Sequence, residues 1–249
     1  LKYSKELWDR IASNEINSLF QLNTPVGTQA LAAINPESLH QVGMINSLMR
    51  LMPQNKGDET PIETFRRYKE DIQLWYSEMK NFGLTAEEIK IMEDHLLLLS
   101  GVADTQESIM MMTMDERISG FDIKEANKLR KGIAKKSKKS QEEAHDLFYS
   151  KGAALGTSQR LLDYVWKVQV SRQLGYSFSL PHVAGYSMIA MQEANLYTYY
   201  PSIYWNTACL SDTVGIDLEE DFSDLIDKGY VKLPIHRRKK LEDEYQLFL

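Results

Sequence analysis

A single cysteine, Cys209, is all that this 249-residue sequence holds. It cannot form an internal disulfide, it fits a reducing compartment, and it leaves no Cys-x-x-Cys or Cys/His cluster for zinc. Long hydrophobic runs are missing too. The longest, such as Leu96–Leu99, fall far short of the roughly 20 apolar residues that a membrane-spanning helix needs. No membrane partner is therefore expected. The opening residues Leu1-Lys2-Tyr3-Ser4-Lys5 lead into an amphipathic segment, where a secretory signal would need an apolar stretch. The expected location is cytoplasmic. Strand signals are sparse and no internal repeat is visible, which argues against a sheet protein or a solenoid. The first residue is Leu, not Met, and the chain reads as a piece of a longer one.

What is present describes a soluble globular chain: 43% of residues are hydrophobic and 26% charged, enough for one large domain or two small ones. Residues 1–12 show helical spacing at Leu7, Trp8 and Ile11. Leu19-Phe20-Gln21-Leu22 reads as a strand or an extended turn. Asn35-Pro36 reads as a helix start, with Asn as cap and Pro in the first turn, and that helix ends before Pro53. A helical pattern resumes from Ile62 to Lys80 and breaks at Asn81-Phe82-Gly83. Thr85 and Glu88 have the spacing of a capping box. Thr105 to Met114 is a methionine-rich helix. Ser140 and Glu143 suggest a second capping box, Thr157 or Ser158 a further helix start, and Val183 to Tyr200 a last long helix stopped by Pro201. Trp75 and Trp166 are assigned to the core, and Met110–Met112 with Met114 to core filling. Tyr197, Tyr199, Tyr200 and Tyr204 could stack on bases or pack a helix end. The fold class expected is mainly α, with little or no β-sheet.

The formal net charge is −6, yet seven of the twelve residues from Lys128 to Lys139 are basic and none is acidic. Ala126, Leu129 and Ile133 give the start of that run an apolar helical face, while Lys128, Lys131 and Lys135 repeat on another. Such a concentration of cations in an acidic chain points to a local anionic partner, with phosphate the obvious candidate. A solvated lysine-rich helix face is the alternative. The segment from Asp217 to Asp227 carries six carboxylates and reads as a linker.

Five stretches, in order, resemble the alpha subunit of bacterial DNA polymerase III, the C family of DNA polymerases. Ser18-Leu19-Phe20-Gln21-Leu22, with Leu48, Arg50 and Pro53, is similar to the family's "FQLES" and "ALYRPGP". Thr105-Gln106-Glu107-Ser108-Ile109-Met110 is similar to "YQEQVM". Ser119-Gly120-Phe121, leading to Ala126-Asn127-Lys128-Leu129-Arg130-Lys131-Gly132-Ile133-Ala134-Lys135-Lys136, resembles "SGY" and "ADLLRRAMGKK". Gly175-Tyr176-Ser177-Phe178-Ser179-Leu180-Pro181-His182-Val183-Ala184-Gly185-Tyr186 resembles "GYGFNKSHAAAYA". Tyr200-Pro201 with Thr207-Ala208-Cys209-Leu210 resembles "HYPAEFMAALL". The match covers roughly residues 5–212. It departs at Lys131, where the family has a second Arg, and at Leu180, where it has Lys. A divergent, phage-encoded member would suit this pattern.

The resemblance implies a fingers region, with residues 1–34 as the segment entering it, 35–212 as the helical domain and 213–249 as an acidic linker with a charged helical tail. It implies contacts from Arg130, Lys131, Lys135, Lys136, Ser179 and His182 to the incoming dNTP, and from Arg50, Lys138 and Lys139 to primer–template DNA. Gln106 and Glu107 are structural or site-lining. The family's palm, with its metal-binding aspartates, lies earlier in the family's order, and no Asp-x-Asp pair occurs in this chain. The chain is thus expected to bind no cofactor itself, to rely on magnesium held by the palm, to partner the palm and remaining polymerase domains, and not to catalyse alone. Two rival readings stay open: a non-catalytic helical nucleic-acid-binding module, and an acidic helical protein-interaction domain.

Overall fold

Residues 1–16, 19–53, 57–134, 138–174 and 176–204 are described by the computed structural model. Among them there are helices and turns and no strand. Leu19–Leu22 is a turn, closed by the Leu22 N–H on the Leu19 carbonyl at 2.9 Å.

The early helices follow their caps. Helix α1 (Lys5–Ala12) begins where Ser4 Oγ accepts from the Leu7 N–H and buries Leu7 and Ile11. Helix α2 (Pro25–Ile34) is capped by Thr24 and has Pro25 in its first turn. Asn35 does not open the next helix. It ends α2 in a left-handed conformation at φ 50°, and α3 (Leu39–Leu48) starts from Ser38. Asparagine tolerates that conformation, so it stops helices as well as starting them. Helix α3 is buried around most of its circumference, from Val42 to Leu48.

The pattern from Ile62 to Lys80 is two helices. Helix α4 (Pro61–Glu70) has a complete capping box, Thr60 with Glu63. Asp71 then turns extended, and its Oδ1 accepts from the Gln73 N–H at 2.9 Å, starting α5 (Gln73–Phe82). A short carboxylate that satisfies a nearby backbone donor competes with helix continuation. Helix α5 runs through Phe82 to Gly83, which is left-handed at φ 96°. The capping box expected at Thr85 and Glu88 is present in both halves and opens α6 (Ala86–Leu96).

Helix α7 (Gln106–Met114) is capped by Thr105. Of its methionines, Met112 is buried while Met111 and Met114 face outward, so core filling holds for only part of that cluster. Helix α8 (Ile123–Ala134) and α9 (Lys138–Ala154) pack as neighbours. Helix α9 begins at Lys138, so Ser140 lies inside it and forms no cap; Glu143 instead pairs with Lys128 at 3.0 Å. Gly132 permits the close approach, since a Cβ there would stand 3.1 Å from the Ser140 carbonyl oxygen. Helix α10 (Gln159–Tyr164), capped by Ser158, continues as a π-helical segment (Val165–Val170) and a 3₁₀ turn (Ser171–Gln173). Helix α11 (Leu180–Tyr199) starts earlier than its apolar pattern suggests, with Pro181 in its first turn and not in a preceding loop.

One apolar core runs from Leu7 to Tyr204. Trp75 is fully buried, and its Nε1–H donates to Tyr164 Oη at 2.9 Å; Tyr164 and Tyr68 both donate to Glu78. Trp166 is also buried, as expected. The tyrosines at the end of α11 mostly pack: Tyr204 is buried edge-on to Tyr197, and Tyr199 Oη lies 2.5 Å from Ser4 Oγ, while Tyr200 is exposed. Helix α11 lies across α3, where Gly43 leaves room for Val183. Among the described residues no helix is long and apolar enough to cross a membrane. The acidic segment, the tail and Cys209 lie outside the described residues.

Candidate functional site

The motifs singled out in the sequence meet where the N-terminus of α7, the middle of α8 and the entry to α11 come together. The position of α7 is set from below by two glutamines. Gln169, in the π-helical segment, accepts from the Ala103 N–H and donates to the Gly101 carbonyl. Gln173, one turn later, donates to the carbonyls of Ala103 and Thr105 and accepts from Ser177 Oγ. Both are fully buried, so each amide must be satisfied inside the protein. They strap the 101–105 turn and fix where α7 begins.

Gln106 then joins three elements. Its backbone N–H donates to the Phe178 carbonyl at 2.9 Å. Its side-chain Nε2 donates to the Ser177 carbonyl at 2.7 Å, and its Oε1 accepts from Arg130 Nη1 at 3.0 Å. The adjacent Glu107 carboxylate accepts from the Leu180 N–H at 2.8 Å. That bond satisfies one of the open donors of α11, because Ser179, at the cap position, is turned elsewhere: its Oγ lies 2.6 Å from His182 Nδ1.

Phe178 is the hub of an aromatic cluster. Its ring stacks on Tyr176 and lies near His182 and Tyr186, and Tyr186 meets Phe20 edge-on. The guanidinium of Arg50 sits over Phe178 with its carbon 5.1 Å from the ring centroid, a cation–π distance. Arg50 is held there by Asn46 and by Gln21 Oε1, the latter at 2.8 Å. It also lines a recess with Gln21, Asn23, Thr24, Val26 and Met49. Below the cluster, Glu193 accepts from the Phe20 N–H at 2.5 Å; burial pushes its carboxyl up, against the effect of that bond.

The structure thus brings together Arg50, Arg130, Ser179 and His182. His182 is exposed and Arg130 half-buried. Lys131 and Lys139 stand exposed on their helices, and Lys128 is partly neutralised by Glu143. Lys135 and Lys136 lie outside the described residues, and Lys138 is described only as the first residue of α9. Chemically, the site offers guanidinium groups for anionic oxygens, an imidazole and a hydroxyl at a helix entry, and exposed aromatic surface at Tyr176. Among the described residues no three His, Cys, Asp or Glu side chains gather in a way that could hold a metal ion.

Sequence reasoning missed the connecting residues. Gln173 and Gln169 carried no signal beyond their polarity. Gln106 and Glu107 lay in a matched motif, but spacing alone could not show that they bridge to positions more than 70 residues away.

Residues 2–156 match the family profile described as the bacterial DNA polymerase III alpha subunit finger domain. That span includes Arg50, Gln106 and Arg130 and ends before Ser179 and His182. Over 216 residues, 86% of this chain, the sequence is 50% identical to the probable DNA polymerase YorL of Bacillus subtilis strain 168. It is 50% identical over the same length to a DNA-directed DNA polymerase of Bacillus phage SPbeta. The DNA polymerase III subunit alpha of Bacillus subtilis strain 168 is 25% identical over 210 residues, 82% of this chain. The chain spans only 16–17% of the length of these relatives. With the profile covering well over half of its residues, the chain belongs to the bacterial DNA polymerase III alpha subunit finger domain family.

Proposed function

We propose that this chain is the fingers portion of a DNA-templated DNA polymerase and presents Arg130, Lys131, Ser179 and His182 to the triphosphate of an incoming dNTP. The observation that carries this reading is the tie between Arg130 and the entry of α11 through Gln106. It links the helix that carries Arg130 to the segment that leads into Ser179 and His182.

Nucleotidyl transfer asks a protein mainly for positioning and charge stabilisation. An arginine grips phosphate oxygens through two N–H groups, and a lysine adds a compact point charge. Lys131 therefore keeps charge where the family pattern has Arg, with less geometric definition. A helical domain carrying these groups can close on the correct nucleotide and complete the site. Lys135 and Lys136 add further cations for the triphosphate in this reading, and Arg50, Lys138 and Lys139 contact the backbone of the primer–template. In this reading the catalytic carboxylates and their magnesium belong to the remaining polymerase. The chain alone does not extend a primer.

The test is fluorescence anisotropy of a labelled primer–template across a salt series, comparing wild type with a K131A/K135A/K136A variant. Wild-type affinity should fall steeply with salt, because phosphate contacts release counterions. The variant should bind more weakly and with a slope shallower by about 2–3. Equal slopes would make the basic run a solvated helix face. Primer extension by the isolated chain with dNTPs and magnesium would refute the division of labour.

A further inference from the structure

We infer that Gln106 is the positioning residue of the nucleotide site, holding Arg130 in the orientation that engages phosphate. This rests on the fingers reading above, in which Gln106 only ties elements together, and gives that residue a part in nucleotide binding. Three observations carry it. Gln106 uses both ends of its amide, donating to the Ser177 carbonyl at 2.7 Å and accepting from Arg130 Nη1 at 3.0 Å. Its own N–H is tied to the Phe178 carbonyl, so the backbone that carries the amide does not drift relative to the α11 entry. Arg130 Nε is steadied by Asn127 Oδ1 at 3.3 Å, so two guanidinium nitrogens are oriented by protein acceptors.

The chemistry demands an amide at this position. Glutamate would accept from Arg130 but would set a carboxylate against the Ser177 carbonyl. Leucine would leave the arginine and the carbonyl without their partners. A long arginine side chain has many rotamers, and fixing it before the ligand arrives lowers the ordering cost of binding. In this reading Gln106 touches no phosphate itself, so its effect must pass through Arg130.

A double-mutant cycle reads this directly. The probe is fluorescently labelled dATP, titrated into the 249-residue chain saturated with a primer–template whose next template base is thymine. The proteins are wild type, Gln106→Leu, Arg130→Ala and the double variant. Gln106→Leu should weaken dATP binding about tenfold, as a displaced positioning contact does. Arg130→Ala should weaken it further, and the double variant should match Arg130→Ala within about twofold, because nothing is left to position. If Gln106→Leu lowers the melting temperature markedly, Gln106→Met, which keeps the side-chain length, takes its place in the cycle. A loss that persists undiminished in the Arg130→Ala background would overturn the inference, since Gln106 would then act on the fold or independently of the arginine. So would a Gln106 variant that binds like wild type. Absence of dATP binding by wild type would overturn the fingers reading of this site and the inference with it, an outcome visible before any variant is made.

Discussion

Asp115 gathers donors from separate parts of the chain. The backbone N–H of Arg117 donates to its Oδ1 at 2.8 Å, and Arg117 Nη2 to its Oδ2 at 2.7 Å. His95 Nε2 lies 2.8 Å from that second oxygen. Burial pushes the carboxyl up, but the Arg117 guanidinium and N–H, with His95, outweigh it and hold it well below the usual carboxylate range. A depressed carboxyl contributes stability that is present above its unfolded pKa of about 3.9 and is lost as pH falls toward the folded value. Asp115→Asn should therefore cost about 2 kcal/mol at pH 7 in urea unfolding. The deficit should narrow below about pH 4, where wild type loses the same contribution. A deficit that stays constant from neutral to acid pH would show that the charge does not matter there. At this scale the sequence marked the residues that end in charge or imidazole, among them Arg50, Arg130 and His182. It gave Gln106 no more than a structural or site-lining role and did not mark Gln169, Gln173 or Asp115, because an amide or carboxylate acquires a role only from what the fold places against it.

Between elements, the difference between the two suspected capping boxes is instructive. Thr85 with Glu88 and Ser140 with Glu143 have the same residue spacing. Thr85 sits on extended backbone at the start of α6, and both reciprocal bonds form. Ser140 lies within α9, after Lys138 and Lys139, and so is not at the cap position of that helix. Packing between elements depends equally on backbone. Gly101, at φ 76°, ends the turn after α6, and a Cβ there would lie 2.5 Å from the Trp75 ring. Gly101→Ala would meet both a left-handed backbone and a fully buried indole. It should cost about 3 kcal/mol in urea unfolding. A loss below about 1 kcal/mol would mean that the Trp75 ring shifts aside freely, contrary to close packing in the core.

Taken whole, the described residues share a single core, and the entering helices α1 and α2 are part of it. Leu7 and Ile11 of α1 are buried in the same cluster as Trp75, Phe148 and Trp166. Small domains with one core unfold in a single cooperative step. Unfolding followed by tryptophan fluorescence and by helical circular dichroism should therefore give coincident urea midpoints. Two separated midpoints would divide α1 and α2 from the rest. The convergence of four matched motifs is also a property of the whole. Phe20 and Arg50, Gln106, Arg130 and the stretch from Tyr176 to His182 are scattered over more than half of the sequence and meet around one phenylalanine, Phe178.

By itself, the sequence determined the helical class, most helix positions and the family, because apolar periodicity, threonine and serine caps and motif order are local properties carried by neighbouring residues. It also picked out the cations and the histidine that the fingers reading uses. Only the tertiary structure shows that Arg130 is tied to the segment entering α11. Helix α8 presents Arg130 to Gln106, while Lys131, one residue on and about 100° around the helix, faces solvent. That choice depends on how α7, α8 and the entry to α11 pack, and hydrogen bonds between residues 24 and 71 positions apart leave no trace in local spacing.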